Sequence, residues 1–307
     1  YMIDSTDMKR FAAALGLDCA GVAPADLPRP PYAEEPPCPL AAGVGDERYE
    51  PRRILPSCRS VIVVLVPYYT AQTEQANLSL YCRSADYHAV VRAYLEQIAA
   101  YLQRQYPGSE QRCVVDTSPL SDRWLAYQAG LGFFGDNRCL INDTYGSYVF
   151  IGSVLTSLPF APDQPLQQEC YHCGACQSAC PGQCFAGGAY DYSRCKSYIT
   201  QKKGSFTLPE IQCMEKTPLI FGCDVCQESC PHNAGVKATP LPEFYRNRLS
   251  QLCPSDIESL SNKQFQQAFG DRAFAWRGKK VLLRNLEYAA NPAAASAENR
   301  NDGKDDV

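Results

Sequence analysis

The sequence has no long apolar run. Its longest, "VIVVLVP" at Val61–Pro67, falls far short of the roughly 20 residues that a membrane-spanning helix needs. No apolar leader and no twin arginine stand near the first residue, so the expectation is a cytoplasmic protein with no membrane partner. An excess of one charge is missing too. The net charge is −4 over 307 residues, which excludes a chain wrapped wholesale in nucleic acid but leaves room for a local basic patch. There is no glycine-rich dinucleotide fingerprint and no phosphate loop, which excludes nucleotide sites of those two kinds. No internal repeat is present apart from two groups of cysteines.

Cysteine is what the chain has in abundance. There are 17, an odd number unevenly spread, and without an export signal they do not form a secreted disulfide framework. Eight fall in one pattern: Cys170, Cys173, Cys176 and Cys180-Pro181, then Cys195, then Cys223, Cys226 and Cys230-Pro231. The first group reads C-x2-C-x2-C-x3-C-P, the bacterial run for a 4Fe–4S cluster, whose fourth cysteine reaches the other cluster of a pair. Cys170, Cys173, Cys176 and Cys230 are therefore assigned to one cluster. Cys180, Cys195, Cys223 and Cys226 are assigned to the second, with Cys195 supplying the ligand that the shorter second group lacks. Zinc is the competing reading, because C-x2-C pairs also suit zinc. The two Cys-Pro steps and the crossing pattern favour iron–sulfur. Cys184 reads as a spare, small apolar residue. His172 and His232, inside the cluster loops, read as packing or hydrogen-bonding groups.

Two clusters alone need about 60 to 80 residues, and some 160 precede them. Hydrophobic residues are 45% and charged residues 20%, as in an ordinary globular protein. Residues 4–18 carry a short amphipathic helix with Phe11 and Leu15 on one face. Residues 24–56 hold nine of the 23 prolines and read as an extended, wrapping segment. "SVIVVLVPYY" is a buried strand by its β-branched run, and "RCVVDTSP" and "SYVFIGSVLT" are two more. "DYHAVVRAYLEQIAAYLQRQY" is a helix, with Val90, Val91, Leu95, Ile98 and Leu102 recurring at helical spacing. "SDRWLAYQAGLGFFG" is a second helix, capped by Ser121 and stopped by glycines. "LPFAPDQPLQQE" reads as a linker. The expected fold class is α+β: a layered α/β domain over 1–160, a ferredoxin-like two-cluster domain over 161–240, a helical segment over 241–290, and a disordered tail over 291–307.

With those elements placed, a resemblance becomes visible from about residue 48 to about 285. "VVDTSPLSDRWLAYQAGLGFFGDNRCLINDTYGSYVFIGSVLTSLPF", the eight cysteines, "RCKSYITQKKG", "FGCDVCQESCPHN", "DYH" and "AFAWRGKKVLLRN" together resemble the epoxyqueuosine reductase family. The resemblance implies a base-off cobalamin between the two domains. It also implies a substrate, the epoxyqueuosine in a tRNA anticodon loop, and an external low-potential electron donor of flavodoxin or ferredoxin type. It further implies that Asp116, in the "DTSP" turn, is the proton donor, kept protonated by desolvation. On its residues alone, Asp116 reads as an N-cap or turn aspartate rather than as a catalytic acid. Arg48, Cys82, Asn137, Ser147, Ser197 and Asp224 fall in matched segments and are implied cofactor contacts. His88 in "DYH" is implied to be structural or to support a neighbour, not to bind cobalt. Arg272, Arg277, Lys279, Lys280 and Arg284, extended by Arg246, Arg248, Lys202 and Lys203, form the expected RNA-binding patch. Asp136 stands where the family usually has lysine, "CPGQC" replaces its usual "CPTGA", and the expectation is a short form without the helical-repeat domain of larger members. A monomer is expected. A cobalamin-dependent reductase of a small molecule and a non-catalytic electron carrier are the alternatives.

Overall fold

The structure is a computed structural model that describes residues 2–31, 38–185 and 189–290. The expected tail, 291–307, lies outside the described residues. The fold is mixed, 38% helical and 13% strand. Its first layer is a four-stranded antiparallel sheet in the order β1-β2-β6-β3. The strands are β1 (Ala20–Pro24), β2 (Ser60–Pro67), β3 (Gln111–Val115) and β6 (Val149–Thr156); β4 (Phe133–Phe134) and β5 (Leu140–Ile141) form a small separate ladder. β2 is buried at all eight positions, as its β-branched run requires of a central strand covered on both faces. It pairs with β6 from Ser60↔Thr156 to Pro67↔Val149.

Alternation along β2 separates the two sides. Ile62, Val64 and Val66 face α1 (Thr6–Ala14) and α2 (Tyr87–Gln105), in a core with Val91, Leu95, Ile98 and Leu102. Val61, Val63 and Leu65 face α3 (Asp122–Gln128) through Leu125, Ala126 and Ala129. Gly152 lets α2 lie close on the sheet, because a Cβ there would stand 2.6 Å from Val91 Cγ1.

Three sequence readings are refined by the structure. The sheet has a fourth strand, β1, within a stretch too poor in β-branched residues to stand out. α1 stops earlier than expected, where Gly16 takes a positive φ of 90°. Ser121 occupies the cap of α3, but its side chain accepts no capping bond. The expected linker is pinned as well: Asp163 accepts from Lys9 Nζ at 2.7 Å and from the Val22 amide at 2.8 Å.

The rest of the chain packs on the turn ahead of α2 and, through Leu241 and Phe244, joins the core on the α1–α2 side of the sheet. It contains α4 (Ala175–Ala179), α5 (Lys196–Gln201), α6 (Leu208–Glu215), α7 (Val225–Glu228), α8 (Pro254–Ile257), α9 (Asn262–Phe269) and α10 (Lys279–Tyr288). Its core joins Phe221, Leu252, Ile257, Phe265, Phe274 and Leu282 to Leu78 and Cys82 from the turn ahead of α2. The Ser79 amide donates to Phe221 O at 3.0 Å and the Asp86 amide to Asp271 O at 2.8 Å, so the two halves share backbone bonds as well as apolar surface. Among the described residues, no helix is long and apolar enough to cross a membrane.

Candidate functional site

The eight patterned cysteines gather into two groups of four. Cys170, Cys173 and Cys176 lie on the loop into α4 and on α4 itself, and Cys230 follows α7. These four enclose one small void together with Asp136, Tyr171 and His232. Gly174, at φ 74°, makes the turn between Cys173 and Cys176. Cys180, Cys195, Cys223 and Cys226 line a second, larger cavity. The crossing arises because α4 and α7 pack on each other, so the last cysteine of each run faces the opposite group. Gly182 is required where the two loops cross, since a Cβ would meet Arg194 O at 1.7 Å.

Other residues crowd the second group. Cys184 is buried with its Sγ 3.4 Å from Cys180 Sγ, closer to the thiols than a spare apolar residue needs to be. Cys139 lies beside Cys226, and no spacing in the sequence pointed to it. Lys196 is fully buried next to Cys195, and burial pulls its pKa down to about 8. His172 Nδ1 pairs with Asp136 Oδ1 at 2.8 Å, and the His232 ring stacks on Tyr171 with centroids 3.8 Å apart.

The larger cavity holds about 700 Å³ and opens between the two halves of the chain. Arg48, Asn137, Ser197 and Asp224 line it, with Tyr81, Arg123 and Gln227, which the sequence reading did not single out. Asn137 Nδ2 donates to Cys226 O at 3.2 Å, which ties the sheet half to the second thiol group. Asp224 is buried and accepts from Ser79 Oγ at 2.5 Å and the Leu80 amide at 2.6 Å; desolvation pushes its carboxyl up from the ordinary carboxylate range. Two expected contacts lie elsewhere. Cys82 points into the core on a 3-10 turn, its Sγ donating to Ser79 O at 3.1 Å, while its neighbour Tyr81 faces the cavity. Ser147 is buried away from the cavity, and its Oγ accepts from Gln227 Nε2 at 3.0 Å and Asn233 Nδ2 at 2.9 Å.

A second cavity of about 370 Å³ adjoins the first, sharing Ala41, Arg48, Tyr81 and Arg123. Asp116 lines it at the end of β3, with a φ of 43° that turns the chain sharply off the strand. The desolvated, protonated carboxyl expected there is not what the structure presents. The Asp116 side chain is 58% exposed along the cavity wall. Its Oδ2 accepts from Tyr87 Oη at 2.5 Å and lies 3.2 Å from His88 Nε2. Desolvation pushes the carboxyl up, but the bonds from His88 and Tyr87 and the charge of His88 outweigh it and hold it below the ordinary range. His88 Nδ1 meets Asp86 Oδ1 at 2.7 Å. Bonded to Asp116 and Asp86 at its two nitrogens, His88 is raised to about 9 and is cationic at neutral pH. Asp122, on the wall of the same cavity, is raised to about 7 by burial and by the charge of Asp116. Two carboxyls of one cavity are thus driven apart, one ionised and one poised to hold a proton.

The expected basic patch is largely tied up inside the fold. Arg272 donates to Arg83 O at 3.2 Å. Lys279 donates to Glu258 O at 3.0 Å and also to Leu260 O. Arg284 donates to Lys202 O and Gly204 O and lies over the Phe206 ring. Arg248 is held by Glu74, and Lys202 by Glu210 at 2.6 Å. Arg272, Lys279 and Arg284 satisfy backbone carbonyls, and Arg248 and Lys202 pair with carboxylates, uses that sequence clustering cannot distinguish from a phosphate surface. Lys203, Arg246 and Lys280 remain exposed, and Arg277 stacks 3.7 Å from the exposed Trp276 ring.

A sheet-based half and an eight-thiol half that close around one cavity define an iron–sulfur oxidoreductase with room for a second cofactor. Residues 48–117 match the family described as epoxyqueuosine reductase QueG, DUF1730, and residues 169–233 match a 4Fe–4S double cluster binding domain. An epoxyqueuosine reductase of Gloeobacter violaceus is 37% identical over 310 residues, covering 95% of this chain and 97% of its own. One from Bacillus cereus is 35% identical over 261 residues, covering 80% of this chain, which spans 67% of that relative's length. The crystal structure of an epoxyqueuosine reductase with a tRNA-Tyr epoxyqueuosine-modified stem loop superposes at TM-score 0.79 with 27% identity, over 93% of this chain and 80% of that one. The chain belongs to the epoxyqueuosine reductase family.

Proposed function

We propose that this protein reduces epoxyqueuosine to queuosine at the wobble position of a tRNA anticodon loop. The observation that carries the reading is Asp116, bonded to Tyr87 and His88, facing a cavity continuous with one walled by four of the eight cysteines. The overall change takes two electrons and two protons, and the epoxide oxygen leaves as water. The two thiol groups suit two 4Fe–4S clusters, one ligated by Cys170, Cys173, Cys176 and Cys230 and the other by Cys180, Cys195, Cys223 and Cys226. An external low-potential carrier of flavodoxin or ferredoxin type delivers electrons to the first group, where Cys173 and Tyr171 are exposed.

The larger cavity fits a cobalamin. It has mixed walls, apolar rings beside convergent amide, hydroxyl and guanidinium groups, as an amide-rimmed macrocycle requires. Arg48, Asn137, Ser197, Asp224 and Gln227 would hold it. When bound, cobalamin supplies low-valent cobalt chemistry at the epoxide carbon. The chain's own groups handle the proton. Tyr87, raised by burial and by the Asp116 charge, stays a phenol and fixes the Asp116 carboxylate in place. The proton starts on the cationic His88, and the Asp116 carboxylate takes it from Nε2 and relays it to the oxygen as the carbon–oxygen bond breaks. The target base lies in a single-stranded loop and enters without melting a duplex.

The direct test is anaerobic incubation of cluster- and cobalamin-loaded protein with a reductant and an epoxyqueuosine-containing stem loop. Queuosine should be found by mass spectrometry, and its absence in fully loaded protein would refute the reading. Turnover should also fall as pH rises through about 9, because His88 is raised to that value and loses its proton above it. His88→Gln should lower the rate and move this alkaline limb downward. A limb unmoved in the variant would take His88 out of the proton path.

The RNA contacts are assigned to the cations left exposed. Lys203→Glu combined with Lys280→Glu should weaken stem-loop binding and reduce the slope of log K against log salt by about two phosphate contacts. Lys279→Glu should instead destabilise the fold, since it breaks the bonds to Glu258 O and Leu260 O. Binding and slope unchanged in the double variant would move the RNA footprint elsewhere.

A further inference from the structure

Beside the cavity-facing thiols stands a buried cation without an anion of its own. Lys196 is the first residue of α5, directly after Cys195, and is 1% exposed. Its Nζ bonds three oxygens: Met214 O at 2.9 Å, Thr217 O at 2.9 Å and Thr217 Oγ1 at 2.6 Å. An ammonium has three donors to match that set. Two of the oxygens are carbonyls at and just beyond the last turn of α6, the negative end of the helix, which favours a cation. Lysine is almost never fully buried unless paired. Among the described residues no carboxylate forms an ion pair with Lys196, and it lines the same cavity as the thiols of Cys180, Cys195, Cys223 and Cys226. Cys195 and Cys223 both belong to the cavity-facing group.

We propose that Lys196 is the counter-charge of the cavity-facing cluster and holds that cluster's reduction potential above that of the outer one. The proposal rests on reading the eight cysteines as two clusters. Each added electron makes a cluster more negative, and a fixed cation in a low-dielectric interior stabilises the reduced form. Among the described residues the outer group has no such cation: the void it encloses is lined by Asp136, Tyr171 and His232, without lysine or arginine. Electrons entering at the exposed side therefore run downhill to the cluster on the cavity wall and wait there, next to the second cofactor. Lys196 touches neither substrate nor reacting atoms; it is a positioning residue for charge.

The test is an EPR-monitored redox titration of the anaerobically reconstituted full chain, comparing the parent with Lys196→Gln, Lys196→Met and Lys196→Arg. In the Gln and Met variants one cluster should become about tenfold harder to reduce at a given potential, a fall of ~59 mV for one electron. The other cluster should not move, and iron content should be unchanged. Lys196→Arg, which keeps the charge, should keep the parent's potential. If removing the helix-end bonds unfolds the Met variant, the Gln variant still offers a donor to Met214 O without the charge. Full iron with both potentials unmoved would overturn the assignment to Lys196 and leave the cluster reading intact. A parent chain without two reducible clusters would overturn the cluster reading itself.

Discussion

Asp116→Asn loses about 10² to 10⁴ in turnover of epoxyqueuosine in a stem loop, roughly 3–5 kcal/mol of transition-state stabilisation, while both clusters and cobalamin stay bound. The asparagine keeps the shape of the side chain and can still accept from Tyr87 Oη. Its amide cannot take up the His88 proton and relay it to the leaving oxygen. Asp116→Ala should do no better. The effect belongs to the chemical step, so binding of the stem loop should change little. Single-turnover measurement at saturating stem loop separates the two. A rate within a few-fold of the parent, with cofactors intact, would return Asp116 to the role of a turn residue and direct attention to Asp122. That carboxyl shares the cavity, and burial raises it to about 7, so it carries a proton about half the time at neutral pH.

Metal analysis of anaerobically purified protein should return about eight iron and about eight acid-labile sulfide per chain, four for each thiol group. Cys195→Ser should remove or alter one cluster and spare the other, because Cys195 belongs to the cavity-facing group alone. Turnover should be lost with it, since that group lies on the wall of the cofactor cavity. Cys184 adds an instructive complication. Its Sγ stands against Cys180 Sγ, so the two thiols are too close to serve different irons of one cube. Cys184→Ala should therefore leave iron content unchanged. Zinc as the main metal would overturn the assignment of both groups.

Much of this protein was legible in its sequence, and for definite physical reasons. Ligand spacing is a local property of the chain, so the eight cysteines and their crossing pattern could be read from the C-x2-C-x2-C-x3-C-P run and its shorter partner. The β-branched run of β2 and the three-to-four spacing on α2 are equally local, and both elements form where that patterning places them. The "DTSP" turn, by contrast, read locally as a turn aspartate, and only the family resemblance marked its carboxylate as functional.

What the sequence did not determine lies in contacts between distant residues. Asp116 draws its charge state from Tyr87 and His88, which reach it from α2 across the end of the sheet. The apolar residues ahead of it suggested a desolvated acid, but strand neighbours alternate sides, and two hydrogen-bond donors outweigh burial. Cys82 and Tyr81 are adjacent in the chain, yet the 3-10 turn sends one into the core and the other to the cavity. The clustered cations near the end of the chain carry the same charge in sequence, and only the fold separates Lys279 and Arg284, spent on carbonyls, from the exposed Lys280. Lys196 shows the division most clearly. Its position after Cys195 is written in the sequence, but its burial, its three oxygen partners and its lack of a carboxylate exist only once α5 packs on α6. Charge and hydrogen bonding depend on what surrounds a group, and that is decided by tertiary packing.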